Sequence, residues 1–387
     1  MSVAIVNVGR SHSGDLAGTP LTGDALVCDD GVISWIGASA DVSDGDHETV
    51  LDAGGAGLIP GLIDSHVHIT FGDYTPRQQT VGYIESYLHG GTTRAITASE
   101  VHTPGRPSDP AGVMALAIAA QRCFASFRPG GVTVHAGSVI LEPGLTQADF
   151  EQLRAQGVWL AKAGFGAFDA PLDYVPVAQA ARAAGLLVTC HTGGGSIPGS
   201  LDRIDAGAVI AMGAHVSFHV NGGPTAMSVE DNEKIVVAGG EIALQLAMAG
   251  NLRSALDICR LAREHGRDDR LLISTDTPTG TGVVPLGMFH LIAELVSLGG
   301  LPVELAIAAA TGSVGRVYGL DAGLLEVGRP ADLLLLDAPL GSAGDDWAGA
   351  LEVGDVPGIG AALTGGVVRF TKSRNTPAPK RPVTLLR

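Results

Sequence analysis

The chain has 387 residues, a formal net charge of −16, 45% apolar and 17% charged side chains, and no acidic or basic tract. That composition excludes a disordered chain, and the acidic excess argues against a nucleic-acid partner, which would require a basic face. No charged-then-apolar leader opens the sequence and no apolar stretch is long enough for a bilayer. A membrane partner is therefore not expected, and the expected compartment is the cytoplasm. Cys28, Cys123, Cys190 and Cys259 form no CxxC pair and read as free, buried thiols in a reducing environment.

Taken in chain order, residues 1–57 read as short strands. Residues 25–28 (ALVC) and 32–36 (VISWI) flank Asp29, Asp30 and Gly31, whose glycine suits a tight hairpin. From about residue 58 the pattern changes to apolar strand-like runs alternating with helical ones. Residues 58–69 (LIPGLIDSHVHI) form an apolar strand ending in His66 and His68, and residues 131–134 a run ending in His135. Helix formers run to Ala184, Gly185 supplies a stop, and residues 186–190 (LLVTC) make a buried strand followed by His191. Residues 214–218 lead to His219, and a helical stretch from Ser228 leads to a strand at 241–246. A further helix from Ser254 stops at Gly266, and residues 271–275 (LLIST) end in Asp276. Strand–helix units repeated over residues 58–323 predict a (β/α)8 TIM-like barrel, an α/β fold. Strands return at 331–337 and 366–370. The simplest assembly pairs residues 324–387 with residues 1–57 as one small β-sandwich domain, with the barrel inserted between its halves. The proline-rich, basic tail from Asn375 reads as an extended arm.

Two residues apart on a strand, His66 and His68 point to one face. At the C-terminal end of a barrel strand that face is the mouth, where catalytic sites are built. Paired imidazoles suit Zn²⁺, Fe²⁺ or similar ions. His191, His219 and Asp276 stand at three more strand ends, a coincidence of ligand types that chance rarely produces. His215 lies four residues before His219, on the same strand face but deeper, which suits a place in the core or behind the site.

This constellation resembles the amidohydrolase superfamily over nearly the whole chain, and residues 328–333 (GRPADL) look similar to that family too. The family pattern is HxH on barrel strand 1, a bridging residue on strand 4, histidines on strands 5 and 6, and an aspartate on strand 8. Carried onto this chain, the resemblance implies two divalent metal ions, zinc foremost with iron or manganese as alternatives. Their ligands would be His66, His68, Lys162, His191, His219 and Asp276. Residues 72–77 (GDYTPR), 192–199 (TGGGSIPG), 220–224 (VNGGP) and 371–377 (TKSRNTP) look like the loops of a member that opens a carboxylate-bearing lactam. That member bridges its metals with a glutamate on strand 4. Here the run 157–165 (GVWLAKAGF) holds no acid, and Lys162 is its only ionisable group. A lysine in so apolar a strand loses its charge or finds a partner. A CO₂-derived carbamate would turn Lys162 into a carboxylate-like bridge, as in hydantoinase-type relatives. The alternative is a lysine paired with a nearby acid, with a single metal elsewhere.

The activity so implied is hydrolysis of a C–N amide bond in a small cyclic amide by metal-activated hydroxide, with Asp276 moving the proton to the leaving nitrogen. Tyr74 and Arg77, in the loop after strand 1, are candidates for binding a substrate carboxylate, the arginine by a bidentate contact. Thr192 and Gly193 open a loop whose backbone N–H groups could meet the same anion. His135 could hydrogen-bond substrate or stand behind the site. Each of these residues also reads as one that merely fixes its own loop. A lactone or ester hydrolase, or an acyclic amidase, on the same scaffold stays open. A deaminase would carry a glutamate soon after the strand-5 histidine, where this chain has Thr192 and three glycines. A non-catalytic member would have lost ligands, and all the expected types are present. Similar enzymes are often tetramers, so a homo-oligomer acting on a small-molecule substrate is expected.

Overall fold

The computed structural model describes residues 2–69, 80–100, 105–195, 202–223, 225–278 and 282–387. The first strands are β1 (Ser2–Val6), β2 (Ala25–Asp29), β3 (Val32–Gly37), β4 (Thr49–Asp52) and β5 (Gly57–Pro60). Strands β6 (Leu62–Val67), β7 (Thr92–Thr97), β8 (Thr133–His135), β9 (Ser138–Ile140) and β10 (Leu160–Ala163) follow. Next come β11 (Leu187–His191), β12 (Val216–Phe218), β13 (Ala243–Ala247) and β14 (Leu271–Ser274). The chain ends with β15 (Leu333–Asp337), β16 (Gly358–Thr364), β17 (Val367–Phe370) and β18 (Thr384–Leu385).

Helices separate most of the middle strands, as the alternation of patterns predicts, although β9 follows β8 directly. The helix Leu252–Glu264 shows why. Asn251 caps its start by accepting from Ser254 N at 3.0 Å, and Ala255, Ile258, Cys259 and Ala262 line its buried face. Gly266, at φ 62°, supplies the left-handed turn just past its end.

The parallel strands make a TIM-barrel-type fold whose hydrogen-bonded ring is not continuous. Strands β9 to β14 form one sheet and β6 to β8 another. On one side the two meet where Asp276 N donates to His66 O (2.9 Å) and His68 N to Thr277 O (3.0 Å). On the other side Gly137, at φ 102°, separates β8 from β9. There the amides of Gly137 and Ser138 donate to the buried carboxylate of Glu100, at 2.6 and 2.8 Å, so a side chain satisfies them. Ile63, Leu160, Val216 and Leu272, from the early halves of their strands, pack with Ile96 of β7 and with Val314 and Tyr318 of the helix Gly312–Tyr318. The interior below the mouth is therefore a packed core.

The hairpin expected around Gly31 is present: β2 and β3 pair antiparallel, with Asp30 and Gly31 both at positive φ. The outer strands make two sheets, ordered β18-β4-β1-β2-β3 and β17-β16-β15-β5. Val3, Ile5, Leu26 and Leu51 of the first share a buried cluster with Leu58, Leu333, Leu335 and Leu363 of the second. The C-terminal arm is docked: β18 pairs with β4, and the Arg381 guanidinium donates to the buried Asp337 carboxylate at 2.8 Å. Three cysteines are buried as expected, but Cys123 is exposed, on the helix Pro110–Ser126. Among the described residues no helix is long and apolar enough to cross a membrane.

Candidate metal centre

The site begins with an irregularity in β6. Asp64 pairs with Ala95 and Val67 with Thr97, so three steps on β6 match two on β7. Such a bulge re-aims side chains. Here the Ser65 hydroxyl meets Gln245, while the His66 ring packs on Phe218 with ring centres 4.1 Å apart. His66 Nε2 and His68 Nε2 then converge on Asp276 Oδ1, at 3.1 and 3.2 Å. The three ligand atoms lie within 4.8 Å of one another, and all three residues are buried. Asp276 stands just past β14 at φ 56°. A non-glycine residue keeps that left-handed conformation only where its surroundings determine it.

Gln245 decides which His66 nitrogen faces the aspartate. Its Nε2 donates to Ser65 Oγ at 2.7 Å, which leaves Oε1 to accept from His66 Nδ1 at 2.8 Å. Nε2 of His66 therefore presents a lone pair to the Asp276 carboxylate. Two acceptors at this spacing suit neighbouring ligands of one ion, which at bonds of about 2.0–2.1 Å and tetrahedral angles stand roughly 3.3 Å apart.

Around this trio lie further groups whose polar atoms lack partners. The His191 and His219 rings are 4.4 Å apart and the His66 and His219 rings 5.5 Å. Both nitrogens of His191, Nδ1 of His219 and Nζ of Lys162 are buried without a hydrogen bond. Buried polar atoms are normally satisfied, so this concentration marks a place built for something else to bind. Burial pulls the His66 imidazole down to about 3 and that of His219 to about 4, with Asp276 resisting in both cases. His191 is lowered further by burial and by its neighbour His219. Burial alone would raise the Asp276 carboxyl, but the positive charge His66 carries when protonated, with a hydrogen bond from His68, holds it well below the usual carboxylate range. Lys162 Nζ sits 4.6 Å over the Phe218 ring, and burial brings it down to about 8. Neutral imidazoles, an ionised carboxylate and an amine that gives up its proton more readily than an exposed lysine make a donor set that fits divalent ions.

Other expected residues fare differently. Tyr74 and Arg77 lie outside the described residues. Thr192 is buried, its hydroxyl 2.6 Å from Ser217 Oγ and 3.1 Å from Cys190 O. Gly193 N donates to Ile204 O at 2.8 Å. Neither that hydroxyl nor that N–H is left for a substrate anion, because both are engaged within the fold. His135 meets Trp159 edge-on, ring centres 6.3 Å apart, and the charges acting on it are Arg94 and Arg128; it does not join the histidine cluster. His215 is only part-buried, and its Nδ1 accepts from Val188 N at 2.9 Å. Phe165, at φ 67°, sets its ring edge-on to His191 at 4.7 Å. It also walls a cavity of about 290 Å³ with Phe168, Tyr174 and Ile204. Gln245 went unforeseen, although it is the one polar side chain within β13.

The chain belongs to the amidohydrolase family, whose model matches residues 58–356. Members of this superfamily use divalent metals, which agrees with the donor set above. Among individual proteins, the chain is 42% identical to the enamidase of Eubacterium barkeri over 100% of both sequences. The crystal structure of an enamidase superposes with a TM-score of 0.94 at 41% identity, covering 100% of each chain. The imidazolonepropionase of Micrococcus luteus is 28% identical over 87% of this chain and 93% of its own.

Proposed function

We propose that this chain hydrolyses the C–N bond of a small cyclic amide bearing a carboxylate, with two divalent ions held by His66, His68, Lys162, His191, His219 and Asp276. The observation that carries the proposal is the convergence of His66 and His68 on Asp276, ringed by the unpartnered nitrogens of His191, His219 and Lys162. The full-length likeness to enamidase favours a cyclic amide as the substrate class.

When bound, such ions bring the pKa of a water down to about 7 and polarise a carbonyl. The chain's own groups do the rest. Asp276, ionised and aimed into the cluster, takes the proton of the attacking water and delivers it to the leaving nitrogen. Water's oxygen thus ends on the acyl carbon and its proton on nitrogen, opening the ring to a carboxylate and an amino group. Gln245 keeps the His66 lone pair pointed at the centre. Burial brings Lys162 down to about 8, so more of it is in the free-amine form that CO₂ needs than an exposed lysine would offer, and the carbamate would supply the bridge that an acid provides elsewhere. Tyr74 and Arg77 bind the substrate carboxylate.

Residues 1–57 and 324–387 form a small β-sandwich beside a barrel of residues 58–323, a division that the buried cluster shared by the two outer sheets supports. The enzyme works in the cytoplasm as a homo-oligomer. Elemental analysis of active protein should find two ions per chain, and a panel of lactams with and without a carboxylate should show turnover of the acidic ones. Active protein free of metal, or turnover confined to lactones, would overturn the reading.

A further inference from the structure

Asp64 is fully buried two residues before His66, yet its carboxylate serves the neighbouring strand. Oδ1 accepts from Thr275 N at 3.0 Å and from His66 N at 3.2 Å, and Oδ2 accepts from the Thr275 hydroxyl at 2.5 Å. No ion pair to it occurs among the described residues. A buried acid held only by neutral donors is costly to keep unless the fold uses it. Its position suggests the use. The seam between β6 and β14 has few backbone bonds, those of Asp276 to His66 and His68 to Thr277 among them. Thr275 leads directly into Asp276, whose φ of 56° needs support from its neighbours. Behind Thr275 a run of hydroxyls braces the same turn. Thr275 Oγ1 lies 2.7 Å from Thr277 Oγ1, which contacts Tyr87 OH, and Tyr83 OH donates to Thr277 O at 3.1 Å. Val284 N closes the run by donating to Tyr87 OH at 3.2 Å.

We propose that Asp64 is a positioning residue for the ligand set: by pinning Thr275 to the β6 bulge, it fixes the turn that aims the Asp276 carboxylate at His66 and His68. The idea rests on the metal reading above. One carboxylate holds the amide of a histidine ligand and, through Thr275, the backbone of the aspartate ligand. Ligands for a small cation must be held to a few tenths of an ångström, so the partners that orient them govern affinity.

The test uses the full chain stripped of metal. Wild type, Thr275→Val, Thr275→Ser and Asp64→Asn are titrated with Co²⁺ against a chelator of known affinity. The visible absorption of bound Co²⁺ and the thermal unfolding of each metal-free protein are recorded alongside. Thr275→Val matches the original in shape and keeps both backbone bonds, but strips Asp64 Oδ2 of its donor. It and Asp64→Asn should bind Co²⁺ about 10–100-fold more weakly than wild type, with a displaced absorption band. Thr275→Ser restores the hydroxyl and should recover affinity and spectrum. If Asp64→Asn does not fold, the valine and serine variants decide the matter by themselves. Lower unfolding temperature with unchanged Co²⁺ affinity and spectrum would leave Asp64 as a plain structural brace and overturn the proposal. A wild type that binds no Co²⁺ would bring down the metal reading and this inference together.

Discussion

Replacing Lys162 by methionine should stabilise the metal-free protein while destroying the site. The amine is fully buried on β10, over the Phe218 ring and without a hydrogen-bond partner. Burial brings its pKa from 10.5 down to about 8, with Asp276 pulling the other way. The unfolded chain therefore binds more protons than the folded one between about 8 and 10.5. Stability rises with pH across that window, and the full penalty for holding the ammonium is present below it. At about 1.4 kcal/mol per tenfold change in proton affinity, that penalty comes to about 3 kcal/mol at neutral pH. Methionine has nearly the same length and no charge to bury. Metal-free Lys162→Met should then be about 3 kcal/mol more stable than metal-free wild type at pH 7, with the difference closing towards pH 10.5. Urea unfolding of chelator-treated, CO₂-depleted protein at several pH values measures this directly, and metal content and turnover of the same variant should both collapse. A variant no more stable at pH 7, or a difference that ignores pH, would refute the view that the buried amine is kept for the site at the expense of the fold.

Gln245→Leu leaves the His66 Nδ1–H without its acceptor and frees the ring to turn. Metal affinity by chelator competition should fall about 10–100-fold, and an unchanged constant would mean that something else orients the ring. Asp276→Asn keeps the side-chain shape but cannot take a proton. Turnover should drop by about 10²-fold or more while elemental analysis still finds most of the metal; near-normal turnover would assign the proton transfer to another group. His135 is brought down to about 3 by burial, with Arg94 and Arg128 adding to the effect. The folded protein keeps this imidazole neutral, whereas the unfolded chain protonates it below about 6.5, so stability is lost as pH falls from there. The loss reaches about 2 kcal/mol at pH 5. His135→Gln should remove that part of the acid sensitivity in unfolding curves between pH 7 and 5, and superimposable pH dependences would show that His135 is not the group responsible.

The ligand-type residues were legible because each ends an apolar run: His66 and His68 at the end of β6, His191 as the last residue of β11, His219 just after β12 and Asp276 just after β14. A strand buried along its length has few reasons to end in such a side chain other than a site at its mouth. Lys162 stood out for the complementary reason, as the sole ionisable group in β10. What the pattern could not reveal is who faces whom. Gln245 and Asp64 are polar residues inside apolar strands, and only the bulge in β6 turns Ser65 towards Gln245 and leaves Asp64 to Thr275. Gly137 marks a break in the barrel ladder, yet in the sequence it reads like any loop glycine. Strand β16 escaped notice because its opening residues, Gly358, Ile359, Gly360 and two alanines, carry little β propensity. Thr192 and Gly193 looked available to a ligand because sequence does not show the bridge to Ile204 that occupies the Gly193 amide.

The shared cluster of the two outer sheets has a consequence for how the chain is made. Leu26, Leu51 and Leu58 are synthesised early, but Leu333, Leu335 and Leu363, which cover them, follow some 270 to 340 positions later in the numbering. At ribosomal speeds of about 5–20 residues per second, the first sheet waits roughly 15–60 s with its apolar face open. During that interval β4 also lacks β18, which pairs along its edge in the finished protein. An open apolar face beside an unpaired strand edge invites association with other chains. The nascent protein is thus most exposed to aggregation while its catalytic barrel is still being synthesised, and it closes only when the last strands arrive.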